Sequence, residues 1–263
     1  MKINFEHQNI LVTGGAGGIG EAIVRFFHEA NANVFLHFNS NAQNALAIKE
    51  NLKTRIELIQ CDLSKESEVD NMFSKLPQLH HVIANAGRYE SKASPIESMT
   101  MEQWQSTINN NLTSTFLTAR GFFKNIKHHQ TQSPSLVMIG SSAGIFGERD
   151  NCDYSAAKAA LMNGLLPTLK NEITRISPLG RVNVVAPGWT KTPMAKKFLE
   201  NKEAIKKTLQ TFPMQKLATP EDVAGAVLFL CSPLASHTSG DILKVTGGME
   251  GRVLWDQNEI LIG

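Results

Sequence analysis

Little in this 263-residue chain points to an oxidised, highly charged or membrane setting. Cysteine is scarce. Cys61, Cys152 and Cys231 are far apart and odd in number, and no pair has metal-ligand spacing. No disulfide framework and no metal site is expected, and a reduced cytoplasmic protein fits best. Charge of one sign is also lacking. The net charge of +2, with 19% charged residues, gives no reason to expect nucleic acid or a membrane surface as partner. No stretch approaches the roughly 20 apolar residues that a membrane helix needs. The start, Met1-Lys2-Ile3-Asn4-Phe5-Glu6-His7, has no apolar run, so no signal peptide is expected. Long Gly/Ser/Pro linkers, charge blocks and internal repeats are missing too, which favours one domain over residues 1–263.

What is present is alternation. Strand-like runs at 10–12, 34–38, 56–59, 82–84, 136–139, 182–185 and 242–245 are separated by helix-like segments near 18–30, 41–53, 65–76, 101–128, 154–177 and 219–231. Seven such strands predict an α/β fold with a parallel sheet covered on both faces. Thr219-Pro220-Glu221-Asp222 offers an N-cap, a proline at the first helical position and acids in the first turn. Thr100 to Gln103 has capping-box spacing. Pro167 should remove one hydrogen bond from the helix it interrupts and bend it. Residues 190–216 break the rhythm and read as a lid of one or two short helices. They are rich in lysine: Lys191, Lys196, Lys197, Lys202, Lys206, Lys207 and Lys216 face only Glu200 and Glu203. That lid is either a solvated amphipathic cover or an attractor of anions.

Two motifs carry chemistry. The run Thr13-Gly14-Gly15-Ala16-Gly17-Gly18-Ile19-Gly20 follows a strand and precedes a helix. Bare backbone there lets a pyrophosphate come close, and the helix aims its free N–H groups and positive dipole end at the anion. Tyr154 and Lys158 lie four residues apart in Tyr-Ser-Ala-Ala-Lys, hence on one helix face. A phenol beside an ammonium is an acid/base pair, and the charge should pull the phenol's pKa down. Together the motifs predict a nucleotide-dependent redox enzyme. After the second strand the chain reads Phe38-Asn39-Ser40-Asn41, with no acid to hold the ribose hydroxyls of NAD and no arginine. Asn39 and Ser40 can donate to a phosphate. The missing acid tips the reading modestly toward NADP(H) over NAD(H).

These residues resemble the short-chain dehydrogenase/reductase family, with its 3-oxoacyl-carrier-protein reductase-like and sugar or alcohol dehydrogenase branches closest in tone. The marks occur in order along the chain: Thr13-Gly14-x-x-x-Gly18-Ile19-Gly20, Cys61-Asp62-Leu63, Ala84-Asn85-Ala86-Gly87, Asn110-Asn111-Leu112, Gly140-Ser141-Ser142, Tyr154-x-x-x-Lys158, Pro187-Gly188-x-x-x-Thr192 and Gly247-Gly248. The resemblance implies a single doubly wound Rossmann-type domain, often assembled as a homotetramer or dimer. It implies hydride transfer between a nicotinamide and a small carbonyl or alcohol. By position, Tyr154 would be the general acid in reduction and the base in oxidation. Lys158 would lower its pKa and hold the nicotinamide ribose. Ser141 would donate to the substrate oxygen, and Asn111 would hold a relay water.

For the cofactor, the resemblance implies that Thr13, Gly14, Gly18, Ile19 and Gly20 form the phosphate turn. Asp62 and Leu63 would border the adenine, Asn85 the adjoining ribose, and Pro187, Gly188 and Thr192 the nicotinamide. Alternatives stand beside several of these. Asp62 could cap the helix after Ser64, Asn111 could satisfy a kinked helix backbone, and Ser142 competes with Ser141. The chain departs from the pattern at Ala84, where the family often has Asn, and at His80, where it commonly has an acid. Substrate choice is expected in the loops around 88–99, 143–153 and 189–216. Phe146, Trp189, Met194 and Phe198 are candidates for an apolar pocket or for ordinary lid packing. The tail from Glu250 to Gly263 reads as a strap over its own core or an arm to a neighbouring subunit. A ketone or 3-oxoacyl reductase leads; an NAD-dependent sugar or polyol dehydrogenase and a non-catalytic nucleotide sensor are the alternatives.

Overall fold

A computed structural model describes residues 3–89 and 93–249, the side chains at 196 and 197 excepted. The chain runs β1 (Asn9–Val12), α1 (Gly18–Glu29), β2 (Asn33–Phe38), α2 (Ala42–Leu52), β3 (Ile56–Gln60), α3 (Glu66–Lys75) and β4 (His81–Ala84). It continues through α4 (Met101–Ile108), α5 (Ser114–His129), β5 (Ser135–Ile139), α6 (Ala143–Phe146), α7 (Cys152–Ala160), α8 (Leu166–Ile176) and β6 (Arg181–Pro187). It ends with α9 (Lys196–Glu200), α10 (Lys202–Leu209), α11 (Pro220–Cys231) and β7 (Ile242–Val245). The expected tail strap, Glu250 to Gly263, lies outside the described residues.

All seven strands pair in parallel, in the order β3-β2-β1-β4-β5-β6-β7. Val12 of β1 sits opposite Leu36 of β2 on one side and Ile83 of β4 on the other. After β3 the chain therefore crosses back over β1 to start β4. The connections leave β1 and β4 in opposite directions and a crevice opens above their C-terminal ends. Both faces of the sheet are buried, which is why the strands read as continuous apolar runs. Alternate residues serve the two cores: Ile10 and Val12 pack with Ile23, Phe27 and Val223 under α1 and α11, whereas Leu11 packs with Phe73, Phe122 and Ile126 under α3 and α5. Each such buried large side chain contributes about 1.5–3 kcal/mol relative to exposure.

Local chemistry sets the helix ends. Thr219 accepts from the Asp222 backbone N–H at 3.3 Å, and the Asp222 carboxylate accepts from the Thr219 N–H at 2.8 Å, closing a full capping box at α11. Thr100 caps α4 by accepting from Gln103 N–H. The Gln103 side chain does not return the bond as the spacing suggested; it reaches Asp153 on α7 at 3.3 Å. Each of the two long helices expected from the sequence is broken by a π turn, Asn109–Thr113 between α4 and α5 and Leu161–Leu165 between α7 and α8. The second break answers the proline. Pro167 has no N–H to give, and it falls in the first turn of α8, where that loss costs little.

Candidate active site

The crevice at the strand ends is a cleft of about 580 Å³ running from the glycine turn, past the ends of β2 and β3, to Tyr154. The glycine turn is bare backbone by necessity. Gly14 takes φ +64°, and a Cβ on Gly20 would stand 2.1 Å from the Gly14 carbonyl oxygen. Gly17 caps α1 without any side-chain bond, so no side chain competes for the N–H groups at the mouth of α1. That arrangement fits the pyrophosphate of a dinucleotide. Thr192 and Pro193, in the segment after β6, pack to within 3.0 Å of the space a Gly18 side chain would fill.

A residue that sequence reasoning overlooked braces this turn. His37 of β2 is buried and lines the cleft. Its Nδ1 accepts from the Gly14 N–H at 3.1 Å, and its Nε2 lies 2.9 Å from the Cys61 carbonyl oxygen. Nδ1 is thus the acceptor and Nε2 carries the proton. Burial drives the His37 pKa down to about 4, so the ring is neutral near pH 7. The signal was a lone histidine in an apolar strand, which a packing reading absorbs without residue.

Thr13 spends its side chain on the scaffold. Its hydroxyl donates to the Ile83 carbonyl and accepts from the N–H groups of Asn85 and Ala86, each at 3.0 Å. It clamps β1 to β4 and is not among the cleft-lining residues. Asn85 lines the cleft, yet its amide donates to the carbonyls of Thr13 and Gly14. Asp62 also lines it, while its carboxylate accepts from both the N–H and the hydroxyl of Ser64, the helix-leading arrangement that competed with an adenine contact. Leu63, Gly14, Gly18, Ile19, Gly20, Asn39, Ser40, Pro187, Gly188 and Thr192 all line the cleft. Asn41, which follows Ser40, lines the cleft too, and its side chain accepts from Asn44 N–H to cap α2 and donates to the Ala16 carbonyl.

At the other end α7 presents Tyr154 and Lys158 on one face. Lys158 is 4% exposed and donates to the Ile139 carbonyl at 2.9 Å; its Nζ lies 5.6 Å from the Tyr154 ring centre. Burial lowers the Lys158 pKa to about 8. Tyr154 goes the other way: burial pushes the phenol up to about 12, a hydrogen bond with Ser141 pulls against that, and the Glu148 charge adds to the rise. The lowered phenol expected from the lysine is not found in this arrangement. Desolvation of the phenolate outweighs an ammonium that is turned toward a backbone carbonyl. Ser141, and not Ser142, is the partner of Tyr154; its oxygen also accepts from the Ala143 N–H at 3.1 Å.

Asn111 is fully buried inside the π turn between α4 and α5. Its amide donates to the carbonyls of Arg88 at 2.8 Å and Thr107 at 3.0 Å, and its oxygen accepts from the Arg88 N–H. It meets Lys158 over Gly87: a Cβ there would lie 2.7 Å from the Asn111 oxygen and 3.4 Å from the lysine nitrogen. Asn111 thus satisfies an irregular helix backbone and also lines the cleft beside Lys158. Asp153 fastens α7 to α4 by accepting from the Thr107 hydroxyl at 2.7 Å.

The Tyr154 end has an aromatic wall. Tyr89 stands edge-on to Tyr154 with ring centres 5.1 Å apart and meets Trp189 at 6.4 Å. Trp189 stacks on Phe198 at 3.9 Å. The Tyr89 hydroxyl donates to the Glu148 carboxylate at 2.8 Å. Trp189 and Met194 line the cleft; Phe146 and Phe198 are not among its lining residues. Tyr89 and Glu148, which line it, were not singled out from the sequence.

A doubly wound parallel sheet with a bare glycine turn at one end of its crevice and a serine, tyrosine and lysine at the other defines a dinucleotide-dependent oxidoreductase. Residues 14–250 match the family model described as enoyl-(acyl carrier protein) reductase. The chain is 34% identical to the 3-oxoacyl-[acyl-carrier-protein] reductase FabG of Rickettsia felis, over 94% of this chain and 98% of that protein. It is 31% identical to the same-named reductase of Aquifex aeolicus, over 95% of this chain and all of the other. A solved short-chain dehydrogenase/reductase from Brucella melitensis, described as a glucose/ribitol dehydrogenase, superposes with a TM-score of 0.85 at 29% identity, covering 95% and 99% of the two chains. The chain belongs to the short-chain dehydrogenase/reductase family. It is a nicotinamide-dependent oxidoreductase acting on alcohol and keto groups.

Proposed function

We propose that the chain reduces the keto group of 3-oxoacyl thioesters or similar small ketones. The observation that carries this reading is the cluster of Ser141, Tyr154 and Lys158 at the end of a cleft that the glycine turn opens. The nicotinamide cofactor would supply the hydride; the rest falls to this chain. Ser141 donates to the substrate oxygen as negative charge builds there. Tyr154, held protonated by its surroundings, gives up its phenolic proton to that oxygen. Lys158 holds the nicotinamide ribose and offers its charge to the tyrosine as the proton leaves. Asn111 positions a water that reconnects Lys158 with solvent. Gly14, Gly18, Ile19 and Gly20 take the pyrophosphate, with Thr13 and Asn85 holding the turn in shape. Asp62 and Leu63 border the adenine, and Pro187, Gly188 and Thr192 border the nicotinamide.

NADP(H) is the preferred cofactor in this proposal, because Asn39 and Ser40 line the cleft where an acid would repel a ribose phosphate. Around them, Gly14–Gly20, His37–Asn41 and Asp62–Ser64 contribute no lysine or arginine, so the preference should be small and insensitive to salt. Residues 190–216 act as the substrate lid, and a homo-oligomer forms on the α4/α5 and α7/α8 surfaces. Phe116 of α5, 45% exposed beneath the Arg120 guanidinium, supports a partner copy there. A cytoplasmic setting fits; among the described residues no helix is long and apolar enough to cross a membrane.

Titration with NADPH and NADH by nicotinamide fluorescence, followed by assay on a 3-oxoacyl thioester, tests the reading. Binding of NADPH with turnover of the thioester is expected. Clear NADH preference with oxidation of sugars or polyols would replace it with the dehydrogenase reading that the Brucella melitensis structure's description favours. Binding of neither would replace it with a non-catalytic role.

A further inference from the structure

Among the described residues, Glu148 is the acid in the wall beside Tyr154, and neither hydride transfer nor proton transfer uses it. It follows Gly147, whose φ of +76° turns the chain between α6 and α7. Its backbone is held at both ends: its N–H donates to the Ser155 hydroxyl at 3.0 Å, one residue past Tyr154, and its carbonyl accepts from Asn151 at 3.2 Å. Its side chain lies half-buried against the cleft and accepts from the Tyr89 hydroxyl. Tyr89 in turn packs on Tyr154 and Trp189. The wall is therefore two aromatic side chains from separate segments, Tyr89 and Trp189, the second backed by Phe198, with a carboxyl group set into it. Burial raises the Glu148 pKa, and the Tyr89 hydrogen bond opposes that rise. A carboxylate held at such a desolvation cost beside the reacting tyrosine is the mark of a site residue.

A carboxylate has room for about four hydrogen bonds, and Tyr89 fills one. Of the cations in the cleft lining, Lys158 donates to the Ile139 carbonyl and Arg88 is exposed. We propose that Glu148, oriented by Tyr89, is a charge-selecting residue of the substrate site. It accepts a hydrogen bond from a hydroxyl, amide N–H or ammonium carried near the keto group, and it excludes substrates that place a carboxylate there. The inference rests on the carbonyl-reductase reading and adds to it a substrate class, neutral or cationic ketones that bear a donor. In a half-buried aromatic setting two like charges repel strongly, whereas a donor lets the carboxylate recover the hydration it lost.

The test uses the full-length enzyme with NADPH and three 3-oxo esters of equal chain length, ending in a methyl, a hydroxyl or a carboxylate. In the unaltered protein kcat/KM should rank hydroxyl above methyl above carboxylate, with about tenfold or more between the last two. Glu148→Gln should raise the carboxylate-to-methyl ratio about tenfold and lower the hydroxyl-to-methyl ratio. Tyr89→Phe, which keeps the ring but frees the carboxylate, should shift both ratios less and in the same directions, and it serves if Glu148→Gln does not fold. Ratios unmoved in folded, active variants would overturn the role of Glu148 while leaving the reductase reading intact. No turnover of any ester by the unaltered protein, with cofactor bound, would overturn the reductase reading and this role with it.

Discussion

Lys158 donates a hydrogen bond to the Ile139 carbonyl at 2.9 Å and stands 5.6 Å from the ring centre of Tyr154, close enough to act on the phenol yet turned toward the backbone. Burial holds the lysine near 8. Below that pH it is charged and favours the departing proton of Tyr154; above it the charge is lost. Reductive kcat/KM should therefore fall as pH rises through about 8. Lys158→Arg, whose cation does not titrate in this range, should move any remaining alkaline limb upward. A pH profile of both proteins checks this, and coincident limbs would remove Lys158 from the proton step.

Tyr154→Phe deletes the phenolic proton but keeps the ring against Tyr89. Turnover should fall about a thousandfold, the usual weight of a positioned acid. Cofactor binding by fluorescence should persist. Retained turnover would show that another group supplies the proton.

The glycine turn offers a paired comparison. A Cβ on Gly20 would collide with the Gly14 carbonyl oxygen at 2.1 Å, whereas one on Gly17 would stay 3.4 Å from the same atom. Gly20→Ala should lower both the melting temperature and the affinity for the nicotinamide cofactor, the latter by tenfold or more, on the order of 1.4 kcal/mol. Gly17→Ala should fold with little loss of stability. Equal behaviour of the two in thermal melts would contradict the packing described.

Asn111→Leu places an alkyl chain where one amide serves the Arg88 and Thr107 carbonyls and the Arg88 N–H. Leaving such groups unpaired costs about 1–3 kcal/mol each. Urea denaturation should show that loss together with reduced turnover. Undiminished stability would mean that the π turn does not depend on this amide.

His37 and His81 give the fold an acid dependence. Burial holds them near 4 and near 3, against an ordinary value of 6.5. Protons therefore prefer the unfolded chain, so the stability is complete above about pH 6.5 and is lost as pH falls toward those values. For His37 the loss is on the order of 3 kcal/mol. Urea midpoints at pH 7 and pH 4.5 should differ more for the unaltered protein than for His37→Gln.

Tyr154, Lys158 and the glycine run could be picked out before any coordinates because their patterns depend on short spacings, whereas Ser141 entered through the family resemblance. Four residues on a helix share a face, and a strand leading through glycines into a helix has few other uses. The alternation of apolar runs with helical segments likewise determined the parallel sheet, since strands buried on both faces must be apolar throughout. Other relationships join residues far apart in the chain. Tyr89 reaches Glu148 across 59 positions, and His37 ties Gly14 to Cys61. The resemblance puts Thr13 in the phosphate turn, and only the structure shows its hydroxyl bonded to β4 and the residues after it, about seventy positions away. The direction of the Tyr154 shift also escaped local reading: spacing placed an ammonium nearby, but burial and the orientation of Lys158 set the sign. Local sequence thus determined which chemistry is present and in what order, because helix and turn geometry act over a few residues. Only the tertiary structure decided which polar groups are spent on the scaffold and which face the cleft, because desolvation and hydrogen-bond pairing depend on whatever the fold brings alongside.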